Sequence, residues 1–260
     1  MWDFEHSEVG AQFDISYTVP SLCAASLRDG SGDIGIIPAA AYTTIPDLVI
    51  LPDIAIASRR AVRSILLISK VPLDQIRSVA LDNSSMTSVA LLKVLFARFW
   101  AGARDYVSSP PDLTAMLASN DAGLVIGDPA LRIDRSQFLT YDLAEEWIRL
   151  TGKPFVFAFW AVRRVPLQDQ RELDLAAMFQ LSRDHGLTAE AIERIGETWA
   201  PRLKLSEAVI TSYLTENIHY FLEPDCLSGL ELFYRYAAEC GALPVAPRLS
   251  FLEPRKLVVG

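Results

Sequence analysis

SVALDNSSMTSVALLKVLF, residues 78–96, contains a strand, a polar turn and the start of a helix in one short run. Val79 to Leu81 is apolar and strand-like, and it breaks at Asp82-Asn83. Ser84, Ser85, Thr87 and Ser88 then lead into an amphipathic helix carried by Leu91, Leu92, Leu95 and Phe96. The pattern puts small hydroxyls and unpaired backbone N–H groups at a helix N-terminus, whose partial positive charge favours an anion. No Gly-Lys pair accompanies it, which argues against a nucleotide P-loop and for a carboxylate on a small organic molecule. Capping serines have the same composition, because Ser and Thr are favoured at a helix start in any case. The local pattern leaves both readings open.

Working outward, strand and helix alternate on either side of this unit. Phe13–Val19 alternates like a strand, Pro20-Ser21 opens a helix to Arg28, and Ile34–Ile37 reads as a strand ending at Pro38. Leu48–Leu51, Ala55–Ala57 and Arg63–Lys70 read as three more strands. After the central helix, strands are expected near Asp105–Val107, at Gly123–Gly127 and at Pro154–Arg163, with a helix at Pro111–Ala118. Beyond Leu167 the pattern is helical: Gln168–His185, Thr188–Thr198, Leu205–Asn217 and Leu227–Cys240. Alternating units of this kind predict an α/β fold with a mainly parallel sheet and helices on both faces. The apolar strands Ser64–Ser69 and Phe155–Val162 read as crossovers bracketing a block of about 90 residues, a plausible compact unit. Lobe one is then 1–66 with 163–260, lobe two is 67–162, and the ligand sits between lobes at the carboxyl ends of strands.

Composition narrows the classes. Of 260 residues 51% are hydrophobic and 22% charged, a globular balance. The net charge of −8 disfavours a nucleic-acid or anionic-membrane partner and requires any anion site to work against the overall field. The longest apolar runs fall well short of the ~20 residues of a membrane helix. The first residues, Met-Trp-Asp-Phe-Glu-His, have neither the basic nor the apolar region of a secretory signal. Cys23, Cys226 and Cys240 are odd in number and scattered, as reduced thiols of a cytoplasmic protein are, and no residue spacing suggests a metal.

Several segments together resemble one family. Asp33-Ile-Gly-Ile-Ile-Pro with Tyr42 is similar to the "DVGLIP…Y" segment of the chorismate dehydratases of menaquinone biosynthesis. Val62–Leu67 resembles their "VxSVLL", Leu81–Leu92 their "LDxxSRTSxxLL", and Ile126–Leu131 their "IGDxAL". Tyr141–Ala161 is similar to "YDLGxxWxxxTGLPFVFAxW", and Gly229–Ala237 to the C-terminal helix. Each piece is weak, but the ordered set from about residue 14 to 243 is specific. The resemblance implies a two-lobed, periplasmic-binding-protein-like (type II) fold with an interlobe cleft. It also implies loss of water from chorismate, a dicarboxylate, to give 3-[(1-carboxyvinyl)oxy]benzoate on the futalosine route, with no cofactor.

Carried over residue by residue, the resemblance points to Ser85, Thr87 and Ser88 as the anion site, with Met86 where the family usually has arginine. Pro38 and Ala39, with Ala40, offer backbone and shape where a serine often follows the proline. Ser64 is a candidate on the crossover strand, and Asp128 with Pro129 follows a strand end, where Asp128 can accept from the departing hydroxyl or cap the next turn. The aromatic run Phe155–Trp160 reads first as core. Arg59, Arg60, Arg63 and Arg132 lie near strand ends as cationic candidates, and surface solvation is the usual fate of arginine. His6, His185 and His219 lie outside the motifs, so no side chain stands out as the base. The substrate's own enolpyruvyl carboxylate is the remaining candidate for that role. Family members begin with a strand and a Tyr-Leu-Asn turn that has no counterpart before Met1-Trp2. The resemblance therefore implies a truncated chain, or else a gap in the lobe-one sheet and weak or absent activity. The alternatives are a non-catalytic small-carboxylate binding protein of the same fold and the related 1,4-dihydroxy-6-naphthoate synthase.

Overall fold

A computed structural model describes residues 1–82, 84–102, 104–164 and 173–253. The strands form two sheets. The first has the order β1 (Ile34–Pro38), β8 (Phe155–Arg163), β2 (Leu48–Ser58). The second has the order β5 (Asp105–Ser109), β4 (Ser78–Asp82), β6 (Ala122–Ile126), β3 (Ile65–Ser69), β7 (Leu139–Asp142). The chain passes from the first sheet to the second at 59–64 and returns at 152–154. Residue 66 therefore falls inside β3, and residue 163 ends β8.

The expectation of a mainly parallel arrangement is corrected. The first sheet is wholly antiparallel, because β8 pairs antiparallel with both β1 and β2. In the second sheet only β4 pairs parallel, with β5 and β6, while β3 runs against β6 and β7. The physical reason lies in the long apolar strands. β3 follows β2 of the other sheet with no helix between them, and β8 follows the helix Leu143–Thr151 from β7 of the other sheet, so neither closes a strand–helix–strand crossover within one sheet that would force parallel pairing.

Two local expectations also change. Phe13–Val19 carries the alternation of a strand but forms none, and β1 stands at the edge of its sheet with β8 as its one ladder partner. Alternation specifies a strand only where a neighbour accepts its backbone bonds. The two short strands expected at Leu48 and Ala55 are one strand, β2, kinked where Asp53 adopts φ 58° and the register against β8 shifts between Ile50 and Ala55. Strand β7, read only as part of a motif, is formed.

The helices are α1 (Trp2–His6), α2 (Pro20–Asp29), α3 (Met86–Leu95), α4 (Leu113–Ser119), α5 (Asp128–Leu131), α6 (Leu143–Thr151), α7 (Leu175–Gly186), α8 (Ala189–Leu203), α9 (Glu207–Ser212) and α10 (Pro224–Glu239). The start of the helix expected before His185, at 168–172, lies outside the described residues. The helix expected over 205–217 splits into α9 and a π turn, Tyr213–Asn217, and α3 likewise runs into a π turn at Phe96–Trp100. One core joins the sheets. Leu91 and Leu95 of α3, Trp147 of α6, Phe155 and Phe159 of β8, and Phe233 of α10 are all buried in it. Gly229 permits α10 to lie against the chain's return to the first sheet, since a Cβ there would overlap the Pro154 carbonyl oxygen. Phe155–Trp160 is thus core, as its composition indicated: Phe155 and Phe159 are fully buried.

Candidate functional site

The sequence candidates fall into two groups where the sheets approach each other. In the first, α3 begins behind an Asx turn in which buried Asp82 accepts from the Ser84 amide at 2.9 Å. Ser85 is the N-cap. Its Oγ accepts from the Ser88 amide at 3.3 Å and from the Ser88 hydroxyl at 3.0 Å. Thr87 is fully buried, and its Oγ1 accepts from the Ala40 amide at 3.0 Å. That bond ties the helix start in the second sheet to the turn after β1 in the first. Pro38 closes β1, and Ala39 is fully buried with its carbonyl accepting from the Tyr234 hydroxyl at 2.7 Å. Burial holds the Tyr234 phenol well above its ordinary range. Met86, at the family's arginine position, is exposed.

The oxygens of Ser85 and Thr87 are thus engaged with protein donors. Thr87 spends its oxygen on a backbone amide that would otherwise be buried without a partner. Ser85 and Ser88 satisfy each other and the cap. The arrangement joins Pro38, Ala39, Ser85, Thr87 and Ser88 in one junction and works as packing between the sheets.

The second group is centred on Ser64, just before β3. Its carbonyl accepts from the Gly127 amide at 2.7 Å, which brings Asp128 and Pro129, at the start of α5, beside the chain's passage between sheets. Its hydroxyl accepts from the Tyr213 hydroxyl at 3.0 Å. Burial pushes the Tyr213 phenol up; the Ser64 hydrogen bond offsets part of that rise, and the nearby Asp128 and Asp142 carboxylates add to it. Asp128 itself is exposed.

Asp142 braces the same passage. It is 4% exposed and accepts from the amides of Val62 at 3.1 Å, Arg63 at 2.6 Å, Ala144 at 3.1 Å and Glu145 at 3.2 Å. Burial raises its carboxyl above the ordinary range despite these donors. Arg63 holds φ 66°, a left-handed conformation that the Asp142 contact supports.

Sequence reasoning missed Tyr213 and Asp142. Asp142 stood in the quoted Tyr141-Asp-Leu segment, which offered a signal. Tyr213 lies 149 positions from its partner Ser64, and nothing local marks it. Of the cationic candidates, Arg63 lies beside Ser64 in the passage, Arg60 is exposed, and the other two are engaged away from it. Arg59 pairs with Glu223 at 2.5 Å and Asp225 at 2.7 Å, and Arg132 donates to the Leu203 carbonyl at 3.4 Å. His185 faces Asp3 and His219 faces Glu223. A cavity of about 990 Å³ lies on the other side of the first sheet, lined by Phe4, Phe13, Ile36, Trp160, Phe179 and Tyr220. None of the candidate binding residues lines it.

Comparison with known proteins agrees with the ordered motifs. The family described as menaquinone biosynthesis matches residues 1–239. A chorismate dehydratase of Thermus thermophilus is 30% identical over 253 residues, 90% of this chain and 89% of that protein. Another, of Campylobacter jejuni, is 33% identical over 94 residues, 35% of this chain and 41% of that protein. Among solved structures, an Archaeoglobus fulgidus protein has a TM-score of 0.67 at 19% identity, covering 92% of this chain and 93% of its own. The periplasmic aliphatic sulphonate binding protein of Escherichia coli has a TM-score of 0.62 at 18% identity, covering 94% and 84%. These structures establish the fold, a two-sheet α/β arrangement of the periplasmic-binding-protein kind. With its motifs in order and the family match spanning both sheets, the chain belongs to the menaquinone-biosynthesis family.

Proposed function

We propose that this chain is a chorismate dehydratase, a carbon–oxygen lyase that removes water from chorismate to give 3-[(1-carboxyvinyl)oxy]benzoate. The observation that carries the reading is the near end-to-end similarity to the Thermus thermophilus chorismate dehydratase, which takes in both sheets and both passages between them. The reaction balances without a cofactor: a ring proton and a ring hydroxyl leave together as water, and aromatisation supplies the drive. What the protein must provide is orientation of the ring, donors for two carboxylates and a path for the proton.

The ligand space in this reading lies between two lobes, one built on each sheet. The start of α3 with Pro38 and Ala39 forms one wall, and Ser64, Asp128 and Pro129 form the other. Because Thr87 bonds to Ala40, substrate entry requires that bond to loosen or the substrate to bind beside it. Among the described residues near Ser64, Asp142 is taken up by four backbone amides, and Asp128 is assigned to the departing hydroxyl, so this reading keeps the substrate's enolpyruvyl carboxylate as the proton acceptor. Three free cysteines suit a cytoplasmic setting.

A second reading is favoured by one observation: the Escherichia coli protein that shares this fold is a binding protein. In that reading the chain captures a small carboxylate without converting it. Incubation with chorismate, followed by mass spectrometry, separates the two. The dehydratase reading expects a product lighter by one water that accumulates with enzyme concentration. Saturable binding without such a product would select the capture reading instead.

A further inference from the structure

Ser64 is fixed on several sides. Its backbone is held by the Arg63–Asp142 contact before it, by β3 after it and by the Gly127 amide on its carbonyl. Its side chain is 4% exposed and accepts from Tyr213 at 3.0 Å. A serine hydroxyl that accepts from a phenol keeps its own proton free to give.

The phenol is fixed with equal care. It opens a π turn, in which the Ile218 amide bonds to the Tyr213 carbonyl at 3.2 Å. The far end of that turn is fastened to the same passage between sheets. Asn217 Nδ2 donates to the Ala61 carbonyl at 2.9 Å, and the Asn217 carbonyl accepts from Ser58 at 2.9 Å. The π turn closes the helix begun by α9, and single π turns recur at functional sites. Burial and two nearby carboxylates keep the phenol protonated, so it retains the proton that it donates to Ser64.

We propose that Tyr213 is a positioning residue: by donating to Ser64 Oγ it leaves the Ser64 proton for a ligand hydroxyl that in turn donates to Asp128. The serine donor and the carboxylate acceptor suit a neutral hydroxyl better than an anion, because an anion would be repelled by Asp128. In the dehydratase reading, on which this inference rests, that hydroxyl is the one that departs as water.

The test is a double-mutant cycle of Tyr213→Phe and Ser64→Ala, with kcat and KM for chorismate and the thermal midpoint measured for each protein. Each single change is expected to lower kcat about tenfold, the worth of one neutral hydrogen bond, with a smaller change in KM. The pair together should lose no more than Ser64→Ala does, because Tyr213 acts through Ser64. Ser64→Thr, which keeps the hydroxyl, should retain the dependence on Tyr213. Losses that multiply in the double variant, or wild-type kcat in Tyr213→Phe, would overturn the inference. A wild-type protein that leaves chorismate unchanged would instead remove the dehydratase reading, and the inference with it.

Discussion

At the scale of single residues, Asp142 is the most informative side chain. A buried carboxylate is tolerated only when its charge is met by donors, and four backbone amides converge on this one. Two of them belong to the passage between sheets and two to the start of α6, so one side chain fastens both. Its carboxyl is raised on folding, so the folded protein holds that proton more tightly than the unfolded chain does. The stabilisation this gives is fully present below the ordinary carboxyl value and is lost as pH rises through the folded one. Asp142→Asn removes this titration and turns an NH2 group towards an amide donor. We expect the variant to be less stable by about 1–3 kcal/mol at neutral pH. The gap to wild type should widen as the pH is lowered through the carboxyl range. Denaturant unfolding at several pH values measures both, and a gap that stays constant with pH would refute the assignment.

At the scale of elements, the start of α3 separates a cap from a clamp. Ser85 caps the helix and remains partly exposed, so Ser85→Ala should cost about 1 kcal/mol, the usual worth of an N-cap. Thr87 is fully buried and satisfies an amide of the other sheet's turn. Thr87→Val preserves its shape but strands the Ala40 N–H, and about 1–3 kcal/mol should be lost. The ordering, Thr87→Val below Ser85→Ala in thermal midpoint, is what calorimetry should find. The reverse order would mean that the Ala40 bond is dispensable. The hydroxyl-rich helix start was legible in sequence because N-caps act within one turn. The partner of Thr87 was not, since Ala40 lies 47 positions away and carries no side-chain signal.

At the scale of the whole molecule, charge works against the proposed substrate. A chain of net charge −8 repels a dicarboxylate at long range. Raising ionic strength from low values to about 0.15 M, where the screening length is about 8 Å, should therefore increase kcat/KM. A decrease over that range would show a local cationic field stronger than the overall one. Among the described residues no helix is long and apolar enough to cross a membrane, in keeping with the short apolar runs of the sequence.

Read alone, the sequence determined the local elements and the family. Strand β4, the start of α3, the aromatic strand β8 and the helical final third follow from periodicity and capping, which act over a few residues. The ordered motifs added membership, because their spacing is a property of the chain itself. Tertiary structure decided what depends on partners far along the chain. It set the antiparallel pairing of β3 and β8, denied Phe13–Val19 a ladder, and aimed Tyr213 at Ser64. A strand's direction and a phenol's target are chosen by which surfaces bury each other, and no short window of sequence contains both surfaces.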